Sequence, residues 1–309
     1  MLKTHLRKLI LMVTVFISLF LLSCNIPTDL IGPTVTESDS LFRAAQNMGQ
    51  LENSQINEAS GLAASIVNSD MLWTHNDSGD QPRVFLIGQD GSQKATYTLA
   101  NADFRDAEDI AVGPGPGNKS HVFLGDIGDN QAVRSTKQIY YFEEPVFSPQ
   151  GASEQVIDEF KVINYRYPDG PRDAETLLVD PATGNLFIIT KRELQVRLYL
   201  LSKENFDLEE TVELEFLTEL PLQGIVGGDI SHKGDEIILK DYQKIYYWER
   251  NPDENLATIL TKEPKILPYE IEPQGESIAW SKDGSGYFTV SEKVAVFPAI
   301  LFYYQRIKE

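Results

Sequence analysis

The feature that most constrains the fold of this chain is an internal repeat. Residues 105–110 (RDAEDI) and 172–177 (RDAETL) share four identical residues in a row. Weaker copies lie at residues 57–62 (NEASGL), 228–231 (GDIS) and 275–279 (GESIA). A segment that recurs along a chain predicts a fold of equivalent units, each of which buries its apolar faces against its neighbours.

The spacing of the repeat sets the size of the unit. The acidic residue of each copy falls at position 58, 108, 175, 229 or 276, so the intervals are 50, 67, 54 and 47 residues. A second motif runs in phase with the first, because residues 77–80 (DSGD) and 126–129 (DIGD) lie 49 residues apart. A period of about 40 to 50 residues is typical of a propeller blade.

Each unit has the pattern of four strands separated by turns. In the third unit, strands are predicted at residues 176–179, 186–190, 196–201 and 211–217. The PATGN sequence between the first two strands has the composition of a turn. Third strands with an aromatic triplet recur at residues 138–142, 244–248 and 300–304. The pattern indicates an all-β chain.

We therefore expect a β-propeller of four-stranded antiparallel blades. Five units are visible, and the last one ends at its third strand near Tyr304. Residues ahead of Glu58 would supply the missing outer strand, so that the N-terminal strand closes a ring of five blades. Six blades are the alternative, because the 67-residue interval has room for another unit.

The N-terminal residues have the pattern of a lipoprotein signal peptide. Three basic residues precede an apolar run from residue 9 to 22, and Ser23 lies before Cys24, the only cysteine of the 309 residues. The run is shorter than the roughly 20 apolar residues of a membrane span. Cys24 is predicted to carry the lipid that anchors the chain to a membrane. The alternative is an ordinary secretory signal with a chance cysteine.

Three segments follow from this pattern. Residues 1–23 are the predicted signal peptide, residues 24–50 the lipidated cysteine and a flexible tether, and residues 51–309 the propeller. Lipoproteins of the inner membrane resemble one another in having Asp after the cysteine, so Asn25 favours the outer membrane of a bacterial cell envelope.

The chain without its signal peptide is strongly acidic. It has 24 basic against 46 acidic residues, a net charge of −22. Such a surface repels nucleic acid and anionic headgroups, so no nucleic-acid partner is expected. It attracts cations, and bound Ca²⁺ would reduce the self-repulsion. The alternative is that the acidity only keeps an exported protein soluble.

The repeat also predicts a ligand-binding face. Within a blade, the start of the first strand lies about 5 Å from the end of the second, so both meet at one end of the axis. The predicted face consists of Glu58, Asp77, Glu108, Asp126, Asp129, Glu175, Lys191, Asp229, Lys240, Glu276 and Glu292. The candidate Ca²⁺ ligands are its repeat residues Glu58, Glu108, Glu175, Asp229 and Glu276. The alternative is that these side chains accept hydrogen bonds from the next blade.

The repeat motifs resemble a known family. The EASGLA sequence at residues 58–63, the recurrent Glu followed by Asp, Thr or Ser and then Ile or Leu, and the GESIA sequence resemble the SdiA-regulated periplasmic propellers. They resemble the phytase-like and SMP-30/NHL propellers more distantly. The resemblance covers residues 50–305 and implies a propeller that holds Ca²⁺ near its axis. Some members of the wider group hydrolyse phosphate esters or lactones, but no complete catalytic set matches here.

Two classes of function follow. The first is a binding module of the cell envelope for a small molecule or a protein, with Ca²⁺ as its candidate cofactor. The second is a Ca²⁺-dependent hydrolase of phosphate esters or lactones, with no catalytic residues assigned. The sequence after residue 24 has three histidines without zinc-site spacing and lacks a Gly-x-Ser-x-Gly nucleophile motif.

Replacement of Cys24 by Ala should release the protein from the membrane fraction, because it removes the thiol that accepts the lipid. Fractionation and labelling with radioactive palmitate measure the anchor. The matched control is Ser23→Ala, which keeps a small residue before the cysteine and should stay membrane-bound. A C24A variant that remains in the membrane fraction would contradict the prediction.

Overall fold

Five β-sheets form the described part of the chain, and together they make a five-bladed β-propeller. The computed structural model describes residues 41–295 and 297–307. The predicted signal peptide, Cys24 and most of the predicted tether lie outside these residues. Among the described residues, no helix has the length and apolar character needed to cross a membrane.

The four main strands of each blade follow one another in chain order, except that β1 (Gln46–Gln50) belongs to the last blade. Blade one contains β2 (Ala59–Ala64), β3 (Met71–Asn76), β4 (Arg83–Gly88) and β5 (Gln93–Leu99). Blade two contains β6 (Ala107–Pro114), β7 (Ser120–Asp126), β8 (Lys137–Glu143) and β10 (Lys161–Arg166). Blade three contains β11 (Ala174–Val179), β12 (Leu186–Thr190), β13 (Arg197–Leu201) and β15 (Glu215–Glu219).

The last two blades complete the ring. Blade four contains β16 (Gly227–Ile230), β17 (Glu236–Lys240), β18 (Ile245–Glu249) and β19 (Lys265–Leu267). Blade five contains β20 (Ser277–Trp280), β21 (Gly286–Val290), β22 (Ile300–Gln305) and β1. Helical structure is limited to the α-helix α1 (Leu256–Leu260) and to 3₁₀ turns at Pro116–Asn118 and Lys203–Asn205 among the described residues.

The hydrophobic core lies between neighbouring blades. The inner strand β11 is buried along its whole length, because both of its faces pack against adjacent sheets. Phe123 and Tyr141 of blade two meet Leu177 and Tyr199 of blade three in one buried cluster. The aromatic third strands therefore serve packing, as strand residues with bulky rings do in stacked sheets.

The predicted ring closure is confirmed. β1 pairs antiparallel with β22, and Gln50 lies opposite Ile300. Before β1, the buried Phe42 packs its ring 5.0 Å from that of Tyr287 and 5.8 Å from that of Trp280. The propeller thus begins ahead of residue 51, so the end of the segment predicted as tether belongs to blade five.

The long 67-residue interval holds a fold-back and no sixth blade. Between β8 and β10 the chain leaves blade two, and β9 (Glu154–Ile157) pairs in parallel with β5 as a fifth strand of blade one.

The strand predicted at residues 211–217 is divided into two strands. Its first part, β14 (Val212–Glu213), pairs in parallel with β10, and only the second part, in β15, belongs to blade three.

Replacement of Phe42 by Ala should lower the free energy of unfolding by about 3–5 kcal/mol, because it leaves a cavity at the seam between the chain ends. Urea unfolding of the mature protein measures the change. Phe297, which is 61% exposed, supplies the control, and F297A should change the value by less than about 0.5 kcal/mol. Equal effects of the two variants would contradict closure through the N-terminal segment.

Candidate functional site

The five inner strands all begin at the same end of the propeller axis. Backbone hydrogen bonds join the start of an inner strand to the end of the second strand, as the repeat predicted. They run from Asp77 N to Glu58 O, Gly128 N to Asp106 O, Lys191 N to Asp173 O and Glu292 N to Gln274 O, at 2.8, 3.1, 3.1 and 3.2 Å. Acidic side chains of several blades therefore meet at this end.

Two buried glutamates lie at the centre of this end. Glu108 and Glu175 each occupy the position where the register between strands one and two shifts by one residue. Such a bulge leaves one residue unpaired and redirects its side chain. Both residues are buried, and each is only 4% exposed. The bulges thus present two carboxylates to the axis.

Three more aspartates surround the two glutamates. Oxygen atoms of Asp77, Asp106 and Glu108 lie within 4.8 Å of one another, as do those of Glu108, Asp173 and Glu175. Glu108 is shared by both groups. We call these five residues the acidic mouth.

The acidic mouth concentrates charge of one sign. Burial and then the carboxylates of Glu175, Asp77 and Asp106 raise the pKa of Glu108 well above its usual range. Burial raises the pKa of Glu175 to about 8, although Lys191 opposes the shift. Burial and Asp77 raise the pKa of Asp106 to about 6. Burial is the largest cause of each shift and neighbouring carboxylates add to it, so a further cation would stabilise the ionised forms.

Protein groups neutralise the acidic mouth only in part. The ammonium of Lys191 pairs with Glu175 Oε1 and also donates to the Tyr242 hydroxyl at 3.1 Å. Arg192 Nε donates to Asp173 Oδ2 at 2.5 Å. Glu175 Oε2 is buried and accepts no hydrogen bond within the described ranges. A buried oxygen without a donor loses the hydration it has in water, so a cation or a proton at this atom would stabilise the folded protein.

The predicted residues of blades five and one border the acidic mouth. Glu276 accepts a hydrogen bond from the Tyr242 hydroxyl, and its Oε2 lies 3.5 Å from Ser60 Oγ. Burial, together with Glu276, Asp77 and Glu58, raises the pKa of Glu292 to about 7. Glu58 and Glu292 are half-buried, so they widen the acidic surface around the centre.

Asp126 holds the framework beneath the acidic mouth. It is fully buried, pairs with Arg134 at 2.8 Å, and accepts backbone hydrogen bonds from Arg105 and Asp106 at 3.1 and 3.0 Å. Its carboxylate is therefore occupied by donors of its own blade. Asp126 fixes the loop that carries Asp106 and does not reach the axis as a ligand.

Asp129 has a similar supporting role. Its carboxylate pairs with the buried Lys137 at 2.5 Å and accepts the backbone N–H of Val133 and Arg134. The backbone N–H of Asp129 donates to Asp173 Oδ1 at 2.7 Å. The second acidic motif thus positions two aspartates of the mouth, one directly and one through the adjacent loop.

Asp229 does not lie in the acidic mouth, contrary to its prediction as a Ca²⁺ ligand. Its Oδ2 accepts the backbone N–H of Trp280 in the next blade at 2.8 Å. Asp109 makes the same bond to Leu177 at 2.8 Å. Asp229 is therefore the counterpart of Asp109, and Gly228 occupies the position of Glu108 in blade four.

Side chains at the starts of the inner strands connect neighbouring blades. Ser60 Oγ donates to the carbonyl of Glu108 at 2.8 Å, and Ser277 Oγ donates to that of Ala59 at 3.2 Å. With Asp109 and Asp229, four of the five blade junctions carry a side-chain bond of this kind. The structural alternative for the motif thus applies to Asp109, Asp229 and Ser277, whereas Ser60 occupies in blade one the bulge position of Glu108.

Lys240 is buried between blades four and five. Its ammonium donates to the carbonyl of Gly275 and lies 4.7 Å from the ring centre of Tyr269. Burial lowers the pKa of Lys240 to about 8, and Glu272 opposes the shift. Lys240 supports the junction of two blades and does not line the acidic mouth.

The sequence interpretation missed three residues of this site. Asp106 and Asp173 stand at the second position of the repeated RDAE motif, so their identity was visible, but the prediction chose only the glutamates. Tyr242 lies in the turn between β17 and β18, and no repeat marks it.

No protein-family model matches the sequence, and no curated protein matches it. Among solved structures, a chain of a nidogen/laminin complex is similar to 78% of this chain over 74% of its own length, with a TM-score of 0.47 and 13% identity. The PQQ-bound aldose sugar dehydrogenase of Streptomyces coelicolor is similar over 85% and 98%, with a TM-score of 0.48 and 8% identity. Both are β-propeller proteins, and the resemblance to the SdiA-regulated family stays a prediction.

Burial raises the pKa of Asp229 from 3.8 to about 7, while its backbone hydrogen bonds oppose the shift. The folded state therefore loses stability as the pH rises through this interval, because the buried carboxyl must ionise. Asp229→Asn keeps an oxygen for the Trp280 N–H and removes the charge. Its stability relative to the wild type should increase between pH 4 and pH 7, as measured by urea unfolding.

The matched control is Asp283→Asn. Hydrogen bonds from Ser285 lower the pKa of Asp283 from 3.8, so this variant should lose stability relative to the wild type as the pH rises to about 4, and the difference should change little between pH 4 and pH 7. A difference between D229N and wild type that does not change with pH would contradict the role of Asp229 as a buried titrating acid.

Proposed function

We propose that the acidic mouth binds Ca²⁺ and that the protein is a binding propeller of the cell envelope that holds its ligand at this end of the axis. The observation that carries the proposal is the state of the two central glutamates. Glu175 Oε2 is buried without a donor, and the largest influences on the pKa of Glu108 all raise it. A cation between them would coordinate Glu175 Oε2 and would favour the ionised form of Glu108.

The donor set fits Ca²⁺ by its chemistry. Carboxylate oxygens are the ligands of hard cations, and the two groups that can converge contain no nitrogen or sulfur donor. Ca²⁺ tolerates irregular coordination geometry and accepts bidentate carboxylates, whereas Mg²⁺ requires nearly octahedral coordination. Glu108, Asp173 and Glu175 would hold the ion, and Asp77 and Asp106 form a second group with Glu108. A bound ion would supply positive charge and open coordination positions for the oxygens of a ligand.

The contacts of the neighbouring side chains favour binding over hydrolysis. Asp173 already accepts hydrogen bonds from Arg192 and from the backbone of Asp129. Lys191 is engaged with Glu175 and Tyr242. The two cations nearest the acidic mouth are thus already paired with carboxylates and are not free to bind a phosphate.

We propose that a lipid on Cys24 anchors this binding propeller to a membrane.

Ca²⁺ should raise the melting temperature of the mature protein relative to chelator. At a hundredfold excess over Kd, binding to the folded state alone contributes about 2.7 kcal/mol, or about 5–10 °C for a domain of this size. Glu108→Gln should increase the melting temperature in chelator, because it removes a repelled charge, and should reduce the rise with Ca²⁺. Differential scanning fluorimetry measures both changes.

The control for this experiment is Glu210→Gln, an exposed residue outside the acidic mouth. It should leave the rise with Ca²⁺ unchanged. If Ca²⁺ shifts neither the wild type nor E210Q, and calorimetry detects no heat of binding, the acidic mouth is not a calcium site.

A further inference from the structure

A separate cavity of about 390 Å³ adjoins the acidic mouth on the side of blades three and four. It shares walls with the mouth: Lys191 and Arg192 line the cavity and pair with Glu175 and Asp173. Its volume falls in the range of ordinary small-molecule sites, about 300–1,000 Å³. The cavity is thus open to a ligand that could also reach a cation in the mouth.

Planar polar side chains dominate the lining of this cavity. The amide groups of Gln223 and Gln243 can both donate and accept hydrogen bonds, whereas Asp241 is held by backbone N–H groups and the Tyr246 hydroxyl, and Arg192 by Asp173. Tyr242 adds an aromatic ring, and Leu194 adds an apolar surface that is 81% exposed. A ligand with both hydroxyl groups and C–H groups on its surface would match this combination of polar side chains and apolar surface.

The charge around the cavity selects against anions. Asp241 and Glu193 line it, and its lining cations Lys191 and Arg192 pair with Glu175 and Asp173 of the acidic mouth. Arg172 pairs with Glu193. The seven carboxyl groups of the lining and the acidic mouth still outnumber these three cations and the two charges of a Ca²⁺ ion, so the field repels phosphate and carboxylate ligands.

We infer that this cavity binds a neutral saccharide, whose hydroxyls bond the polar lining and whose apolar ring face packs against Tyr242 and Leu194. Hydroxyl oxygens are also ligands that a hard cation accepts. The inference rests on the proposed function for one contribution only, which is the added affinity from sugar hydroxyls at a Ca²⁺ ion. The polar lining itself belongs to the protein and is present with or without the cation.

Isothermal titration calorimetry of the mature protein with glucose, galactose and mannose tests the inference, in CaCl₂ and in chelator. Each sugar is compared with its uronate, which has the same ring and a negative charge. At least one neutral sugar should bind with a Kd of about 10 mM or tighter, and its uronate should bind at least ten times more weakly. Tighter binding in CaCl₂ than in chelator would show the contribution of the cation.

Variants of the lining separate this site from the cation site. Gln223→Ala combined with Gln243→Ala should weaken sugar binding at least fivefold and leave the rise of the melting temperature with Ca²⁺ unchanged. Gln150→Ala, an exposed residue outside the cavity, should change neither.

Three outcomes would overturn the saccharide assignment: no binding of any neutral sugar, equal or tighter binding of the uronate, or unchanged affinity in the double variant. Equal sugar binding in CaCl₂ and in chelator, with no effect of Ca²⁺ on the melting temperature, would refute the calcium proposal. That result would support the cavity as a saccharide site of the protein alone.

Discussion

The arrangement of this protein depends on one constraint, which is that five inner strands start at the same end of a common axis. Each blade must pack both faces of its sheet against neighbours, so the inner strands cannot splay apart. Whatever residues open those strands are brought together. Here three of the openings carry glutamate, at Glu108, Glu175 and Glu276, and the resulting repulsion is a cost that the fold itself imposes.

Two adjacent residues of the repeat motif have different roles. The glutamate faces the axis, where its charge is incompletely balanced, and the following Asp, Ser or Thr faces the next blade. Asp109 and Asp229 use that second position to bond the backbone of Leu177 and Trp280. A structural hydrogen bond thus explains the aspartates at the second position, whereas burial of Glu108 and Glu175 without sufficient donors has no structural benefit. This contrast separates the candidate site from the framework.

Much of the fold could be predicted from the sequence, because the repeat gives the length of one blade and the order of its strands. The closure by β1 followed from the missing last strand of blade five. The fold-back of β9 onto blade one could not be predicted, since parallel pairing of a short edge strand depends on tertiary context and not on local pattern. The Gly228–Asp229 pair was aligned one residue away from its true counterpart, because a weak copy of a short motif does not fix its own register.

The site was predicted in part for a related reason. Convergence of Glu108 with Glu175 follows from topology, but the approach of Asp106 and Asp173 depends on loops that Asp126 and Asp129 hold. The most direct measurement is a crystal structure at better than about 1.5 Å resolution from crystals grown in CaCl₂. A Ca²⁺ ion in the acidic mouth should appear as a peak between Glu108, Asp173 and Glu175 with oxygen distances of about 2.3–2.6 Å. A map with only water at hydrogen-bonding distances there would contradict the calcium site.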